Sequence, residues 1–370
     1  FLNDPNGVRL ADLNAAEGFK GVRVEMGVGA LVLTMPYDAV PFSYYKKDGI
    51  VELLRTPTSG GGPAMFTEQL YWIVGRRRRI LENGQRVAII TCQDANRFLA
   101  SRHVLYAAGT SQADKTDNAG DVMRAIVREN AGASAPAAYQ IPGLTVGSDL
   151  GDGARVSKAF AWRNVLTVLQ ELAKASATAG TYLSFDLVAT SHPGSGQPAL
   201  EFRTYTGQRG VDHRYPSGAA GPVLLGPDFG TLTDANYEED WSDEVNYVTA
   251  LGGGQGLART TASASDAARI GLSGYALAQG VVDARNSASA GVQDEADAAL
   301  RAGMPRRAFR AKFAQTAGVR FGVEIGFGDY VTAQFLGDVF DCRISAVEFE
   351  YSKDGERIWP VLANDGVADV

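Results

Sequence analysis

Six carboxylates lie close together in the chain and are the residues with the clearest potential for chemistry: Asp234, Glu238, Glu239, Asp240, Asp243 and Glu244. Such a group could supply the acid and base of a glycosidase, or oxygen ligands for calcium. It lacks the alternating ligand order and the central glycine of an EF-hand loop. We therefore favour carboxylates on a solvated surface over a catalytic or metal site.

Histidines and cysteines do not have the spacing of a known site. His103, His192 and His213 lack the H-E-x-x-H pattern of a metalloprotease helix, and we expect them on the surface or in loops. Cys92 and Cys342 are far apart and each lies in a strand-like run, which predicts buried free thiols rather than a zinc site or a disulfide. The sequence therefore predicts no catalytic residue, no metal site and no cofactor.

Two further runs have a possible binding role. Gly252–Gly256 could aim backbone N–H groups at a phosphate, but the lysine and Ser/Thr of a P-loop are missing. A tight turn between strands is favoured. Arg76–Arg79 is basic, yet alternate residues of a strand point to opposite faces, which is too little for a nucleic-acid groove. We expect an edge strand protected by charge, or salt bridges to a neighbouring subunit.

Composition indicates a globular chain with many short strands. The 370 residues are 45% hydrophobic and 21% charged, and the 43 glycines and 14 prolines indicate many turns. A formal net charge of −7 argues against a surface that coats nucleic acid. The chain shows no signal peptide and no apolar run of the ~20 residues that span a bilayer. We expect a soluble protein that folds in the cytoplasm and has no membrane partner.

Local patterns place the elements that would position these residues. Periodicity and capping signals predict helices over 94–99, 121–129, 162–174 and 293–301. Alternation predicts strands over 22–28, 31–35, 50–55, 182–188, 200–205, 245–251, 281–285 and 319–325. Two hairpins are predicted, one over 70–92 with a type I′ turn at Asn83-Gly84 and one over 343–359 that turns at Asp354-Gly355. The fold class predicted is α+β and β-rich, with two β modules separated by helices.

The order of these features resembles the tail-hub proteins of long-tailed bacteriophages, which are also described as tail-associated or baseplate-hub-like. The matching elements are Gly21–Met26, Ile50–Arg55, the Trp72–Arg102 hairpin and helix, Val245–Leu251 with its glycine turn, Val281–Arg285, a helix near Ala298–Leu300, and Gly337–Val339 with Arg343-Ile344. The similarity runs over nearly the whole chain and is carried by order and spacing rather than by a signature residue.

The resemblance implies a structural, non-enzymatic protein that forms a homotrimeric ring at the tail tip. Each subunit of that family has two similar β-barrel domains with smaller α/β and β domains, so six barrels from three chains match the six-fold tail tube. The parts implied here are a first barrel-like tube domain in 1–105, a helical α/β insertion in 106–180, a second barrel-like domain with a helix in 181–310, and a small C-terminal β domain in 311–370.

The implied location is the tail tip of the virion, after assembly in the host cytoplasm. The implied partners are the distal tail protein or tail tube protein, the tip or fibre proteins, and the tape-measure protein and DNA that pass through the lumen without specific binding. Carboxylates on the lumen wall would repel DNA phosphates. Four aromatic residues are candidate interface anchors, with core packing as the alternative: Tyr44, Tyr45, Trp241 and Trp359.

Two other functions stay open. A cell-wall glycan hydrolase would use two carboxylates of the acidic group, or Asp283 and Glu295. A carbohydrate- or receptor-binding module of the tail tip would bind the host surface as an isolated protein. Some relatives carry a C-terminal peptidase or glycan-degrading domain. This chain ends at Val370, soon after its last predicted hairpin, so we expect no such domain and no enzymatic activity.

Overall fold

The protein is described by a computed structural model that covers residues 1–55, 66–105, 113–160, 162–194, 196–216, 218, 221–285, 291–314, 316 and 318–363. Strands predominate in these residues and helices are few, so the predicted β-rich α+β class is confirmed. No helix in these ranges is long and apolar enough to cross a membrane.

The helices and strands follow one another in a mixed order. The α-helices of the described ranges are α1 (Asn96–Ala100), α2 (Ala119–Asn130), α3 (Val165–Thr178), α4 (Ala267–Ile270) and α5 (Gly291–Ala302). Short 3-10 turns cover Phe42–Tyr44, Ala137–Tyr139, Pro227–Phe229 and Gly256–Ala258. The strands before α2 are β1 (Leu2–Asn3), β2 (Arg9–Ala11), β3 (Gly18–Val24), β4 (Ala30–Pro36), β5 (Ile50–Arg55), β6 (Phe66–Ile80), β7 (Arg86–Gln93) and β8 (Ala113–Asn118). Those between α2 and α4 are β9 (Leu144–Val146), β10 (Arg155–Phe160), β11 (Leu183–Ala189), β12 (Leu200–Thr206), β13 (Asp212–His213), β14 (Leu224–Leu225), β15 (Leu232–Asp240), β16 (Tyr247–Leu251) and β17 (Thr261–Ser265). The last strands are β18 (Gln279–Asp283), β19 (Arg306–Phe313), β20 (Tyr330–Phe335), β21 (Asp338–Ser352) and β22 (Gly355–Ala363).

The chain divides into two compact units. Unit 1 comprises Phe1–Ala177, Thr181–Ala235 and Arg310–Leu362, and unit 2 is built mainly on Asn236–Phe309. Unit 2 contains a three-stranded sheet in the order β17-β16-β18, with α5 packed on one face through the buried side chains of Val248, Ala250, Val292 and Ala296. The four-part division expected from the sequence stays a prediction.

A sheet of 14 strands has the order β15-β19-β22-β21-β3-β4-β7-β6-β5-β1-β2, and β20 pairs with β21, β13 and β14. The strands from the beginning and the end of the chain meet where β3 pairs antiparallel with β21, and we call this pairing the seam. Gly21 lies opposite Phe349 in the seam. No pairing joins the two ends of this order within the described ranges, so the barrel-like domains stay a prediction.

Apolar side chains of β4, β5, β6 and β7 form one core of unit 1. It includes Leu31, Met35, Tyr71, Ile90 and Cys92. Burial raises the pKa of the Cys92 thiol to about 12, and Cys342 is also a buried free thiol, as the sequence predicted. A second core of unit 1 lies under α2 and α3, and the stripe that predicted α3 is confirmed as its buried face.

A buried arginine ties α2 to the loop before β10 and to β12. Arg124 is 2% exposed, and its Nη1 and Nη2 atoms donate to the two carboxylate oxygens of Asp152 at 2.6 and 3.0 Å. The same guanidinium donates to Asp121 at 2.9 Å and to the Thr204 hydroxyl. Burial works against ionisation of Asp152, but the bonds from Arg124 and Thr204 lower the pKa of its carboxyl overall.

A buried Asp–Asn pair connects the β3–β4 turn, α1 and β11 within unit 1. The Asp94 carboxylate accepts N–H bonds from Gly29 at 2.8 Å and from Asn96 at 3.1 Å. Asn96 donates to the Gly27 carbonyl at 2.7 Å and to Asp186 at 3.0 Å. Burial and, after it, the nearby Asp186 charge raise the pKa of Asp94 to about 7.

We expect the Asp94 carboxyl to make the protein less stable as pH rises from acid to neutral. Folded Asp94 keeps a proton up to about pH 7, whereas an unfolded aspartate releases it near pH 4. The free energy of unfolding should therefore fall across this window, by up to about 1.4 kcal/mol per pH unit. Asp94→Asn should flatten this slope when urea unfolding is measured at several pH values. Equal slopes in both proteins would contradict the prediction.

The structure corrects two local predictions. The hairpin at Asn83-Gly84 is confirmed, but the type I′ turn is wrong, because only Gly84 has a positive φ and its N–H bonds the Leu81 carbonyl at 2.9 Å. This is the three-residue hairpin loop with a left-handed glycine. The strand predicted over 319–325 is also wrong. Gly322 there has a φ of 84°, and Arg320 pairs with Glu324 four residues on, which closes turns instead.

Candidate assembly surfaces

The C-terminal part of β6 has an unpaired edge. Residues Phe66–Trp72 pair with β5, and Trp72–Ile80 pair with β7 on the other side. The last backbone bonds on the β5 side are made by Ile73. Its N–H donates to the Gly49 carbonyl at 2.8 Å, and its carbonyl accepts from the Asp48 N–H at 3.0 Å. From Val74 to Ile80, β6 therefore pairs only with β7 within the described ranges. We call this segment with the turn that follows it, residues 74–86, the arginine arm.

The four consecutive arginines of the arm divide between its two faces, as predicted. Arg76 and Arg78 lie over the ring of Phe42, at 4.7 and 4.3 Å from its centroid, and Arg76 also donates to the Phe42 carbonyl at 2.8 Å. Arg77 and Arg79 are exposed on the opposite face, and neither has an ion pair with a residue that the structure describes. Two arginines are thus fixed by an aromatic ring and two project into solvent.

Unit 2 carries a loop with unusually exposed apolar side chains. Leu272, Tyr275 and Leu277 are 80%, 99% and 53% exposed, and we call this segment, residues 271–278, the aromatic loop. Asn246 is fully buried beneath it. Its side-chain amide donates to the Ala276 carbonyl at 2.6 Å and accepts from the Ala278 N–H at 2.8 Å. The loop is therefore held in one shape, which lowers the entropy cost of binding a partner.

Glu244, the last residue of the acidic group, is linked to the aromatic loop through Arg269. Glu244 bonds Arg269 at 3.2 Å, and the Arg269 carbonyl accepts the Leu272 N–H at 3.3 Å. Trp241 is 58% exposed, and its carbonyl accepts a hydrogen bond from the Glu244 N–H. Residues 236–285 contain seven carboxylates and three arginines, a net charge of −4. We call residues 240–244 together with the aromatic loop the acidic-aromatic surface.

Asp283 does not suit the acid role in the hydrolase alternative. Hydrogen bonds from the Arg285 side chain, followed by that from its backbone N–H, lower the pKa of the Asp283 carboxyl to about 2. A glycosidase acid needs a raised pKa. No cluster of three or more metal-ligating side chains occurs within the described ranges. Gly252–Gly256 lies in the connection 252–260 between antiparallel β16 and β17, so the segment does join two strands, but the connection is longer than the tight turn predicted.

The prediction that His213 lies on the surface or in a loop is wrong. His103 and His192 are exposed as expected, but His213 is 7% exposed, because β13 pairs with β20 in the sheet of unit 1. Its Nδ1 atom donates to the Gly221 carbonyl at 2.9 Å, and its Nε2 atom is 3.6 Å from a carboxylate oxygen of Asp329. A two-residue strand has no periodicity, so the sequence carried no signal for this burial.

The candidate aromatic anchors have different outcomes. The prediction that Tyr45 is an exposed anchor is wrong, because its side chain lies in the unit 1 core and is 1% exposed. Burial raises the pKa of its phenol to about 12. Tyr44 and Trp241 are exposed, and Trp359 is half-buried. Tyr275 was missed by the sequence analysis. It lies among glycine and serine residues, where single apolar side chains indicate no face.

The model of the siphovirus ReqiPepy6 Gp37-like protein family matches residues 71–362. This chain belongs to that family. It is a phage tail-associated structural protein, and its location is the virion tail. No curated protein matches the sequence.

Solved structures of tail proteins have the same fold as this family member. The 43 kDa tail protein of prophage MuSo2 from Shewanella oneidensis has 12% identity and a TM-score of 0.59, with 96% of each chain covered. The tail protein from Neisseria meningitidis MC58 has 15% identity and a TM-score of 0.57, over 95% of this chain and 93% of that one. Prophage tail protein gp18 from Listeria monocytogenes EGD-e has 10% identity and a TM-score of 0.54, over 98% and 94%. At these identities the similarity concerns the fold.

Proposed function

We propose that this protein is the hub of the phage tail tip. In this proposal three copies form a ring that joins the six-fold tail tube to the three-fold tip and lines the channel through which DNA is ejected. The observation that carries the proposal is the seam, where strands from the two ends of the chain join in one sheet. Similarity to tail proteins over 96% of both chains supports the same role.

The two strand sets on either side of the seam are proposed as the two barrel-like tube modules. We place the first in 1–105 and derive the second from strands after residue 181, with the helical segment 106–180 and a C-terminal β segment, 311–370, attached. Three chains then supply six similar modules to a six-fold tube, and closed rings of identical subunits bury the same contact repeatedly.

The proposed partners follow from a place between tube and tip. They are the distal tail protein or tail tube protein, the tip or fibre proteins, and the tape-measure protein and DNA inside the channel. Assembly takes place in the host cytoplasm, and the hub has no enzymatic activity. The excess of carboxylates, with a formal net charge of −7, suits a channel to which DNA does not adhere.

The mass of the particle in solution tests this function. Light scattering of the purified chain, at several concentrations and with or without the tail tube protein, should give a particle of three chains. Electron microscopy should show a central hole. A monomer under all of these conditions would overturn the hub proposal. Turnover of host cell-wall glycan, or binding of the isolated chain to host envelope, would support the hydrolase or the receptor-binding module instead.

A further inference from the structure

We propose that the arginine arm of one copy binds the acidic-aromatic surface of the next copy. The proposal rests on the hub function, because the contact is the one that would close the ring. It joins unit 1 of one chain to unit 2 of another.

The two surfaces have opposite charge. The arm contains five arginines and one glutamate, a net charge of +4, and the acidic-aromatic surface contains three carboxylates and no basic residue, a net charge of −3. Arg77 and Arg79 face solvent without an ion pair in the described ranges. Opposite potentials accelerate encounter and fix the register of two surfaces. A second copy of the chain supplies such an opposite surface at equal concentration.

The chemistry of the side chains matches as well. Arginine binds carboxylates through two parallel hydrogen bonds, and its guanidinium also stacks on Trp and Tyr rings. The acidic-aromatic surface offers carboxylates together with Trp241 and Tyr275. Ile80 at the end of β6 is 69% exposed, and Leu272 and Leu277 are exposed on the other surface. Burying these side chains against one another would add an apolar centre to a charged contact.

The unpaired edge of β6 gives a second reason for a partner. An exposed strand edge presents unpaired N–H and C=O groups that tend to pair with another chain. Arginines on the edge suppress random pairing while leaving it open to an acidic surface. The two surfaces lie on different units of one chain, so the contact is heterologous, and a heterologous contact produces a ring when its rotation closes.

Charge reversal of the arm tests the proposal. The double variant Arg77→Glu, Arg79→Glu should lose the three-chain particle in light scattering at concentrations where the wild type forms it. The control variant Arg155→Glu, Lys174→Glu makes the same change of charge at exposed positions of unit 1 and should keep the particle. If the wild type and the reversed arm both form the particle, this contact is overturned while the hub function stands.

A charge swap shows which surface the arm binds. Asp240→Arg with Asp243→Arg should also lose the particle, because arginines would then face arginines. Combined with the reversed arm in one chain, it should restore the particle. No restoration, with all variants folded by circular dichroism, would overturn this pairing of surfaces.

Cross-linking tests the contact without changing the charges of both surfaces. Cys92 and Cys342 are buried, so thiols introduced on the surface are the reactive ones. A mixture of Arg77→Cys chains and Ser242→Cys chains should give a two-chain product with a short bismaleimide, and either variant alone should give none. A product from Arg77→Cys chains alone would indicate a two-fold contact and would overturn the proposal.

Discussion

Replacing Arg124 by methionine should lower the free energy of unfolding by about 3–5 kcal/mol. Methionine has a similar length and fills part of the same space, but it leaves the carboxylates of Asp121 and Asp152 buried without a cation. Asp121 would keep the N–H bonds from Leu150 and Gly151, at 2.8 and 3.0 Å. Asp152 would keep the Thr204 hydroxyl. These neutral donors do not replace a guanidinium that is 2% exposed.

Urea unfolding measures this loss, with Arg163→Met as the matched control. Arg163 pairs with Glu171, and both side chains are more than 40% exposed, so the control should lose less than about 1 kcal/mol. The pKa of Asp152 is lower in the folded protein than in the unfolded chain. Its contribution to stability is therefore present above about pH 4 and is lost as pH falls through the folded value. The difference between wild type and Arg124→Met should shrink on acidification, and a constant difference would contradict this explanation.

Replacing Gly21 by valine should cost about 1–3 kcal/mol, because a side chain at this position of the seam would overlap the Phe349 ring. A β-carbon on Gly21 would lie within 2.6 Å of the Phe349 ring and 3.0 Å from the Ala30 carbonyl oxygen. Gly21 pairs with Phe349 on one side and with Leu31 on the other, so neither neighbouring strand can withdraw without losing ladder bonds. The valine methyl groups would add to this overlap.

Gly75→Val is the matched control for the seam. Gly75 is also a strand glycine, in β6, but a β-carbon there meets only Thr91, with the nearest atom at an ordinary 3.7 Å. A β-branched residue beside threonine suits a strand, so its effect should stay within about 1 kcal/mol. Thermal unfolding of both variants and the wild type measures the two losses of stability, and the loss for Gly21→Val should be the larger. Equal losses would show that the glycine backbone, rather than the space beside Phe349, determines the effect.

The local elements could be predicted from the sequence, whereas the pairing between distant strands could not. Asn83-Gly84 between two apolar runs predicted the β6–β7 hairpin, and the stripe of Leu169 and Leu172 predicted α3. The seam joins two strands from opposite ends of the chain, and neither strand carries a sequence signal that identifies its partner. The alternation of apolar residues over 319–325 predicted a strand, but the chain turns at Gly322, which has a positive φ.

The candidate surfaces were predicted only in part, because some of their features are local in the sequence and others depend on distant contacts. The four adjacent arginines are a local feature, and strand geometry alone assigns two of them to each face. The exposure of Tyr275 depends on buried Asn246, which bonds the loop about 30 residues away. Tyr45 follows exposed Tyr44 directly and yet lies in the core. Such contrasts depend on tertiary packing.

The seam has a consequence for synthesis of the protein. Val24 of β3 cannot pair with Ala346 of β21 until more than 320 further residues have been synthesised. At a translation rate of about 5–20 residues per second, the wait is roughly 15–65 s. Throughout this time β3 can pair with β4 but leaves its other edge open, and an open edge is a template for aggregation. The dependence of the nascent subunit on chaperones should therefore last until the β21 segment has left the ribosome.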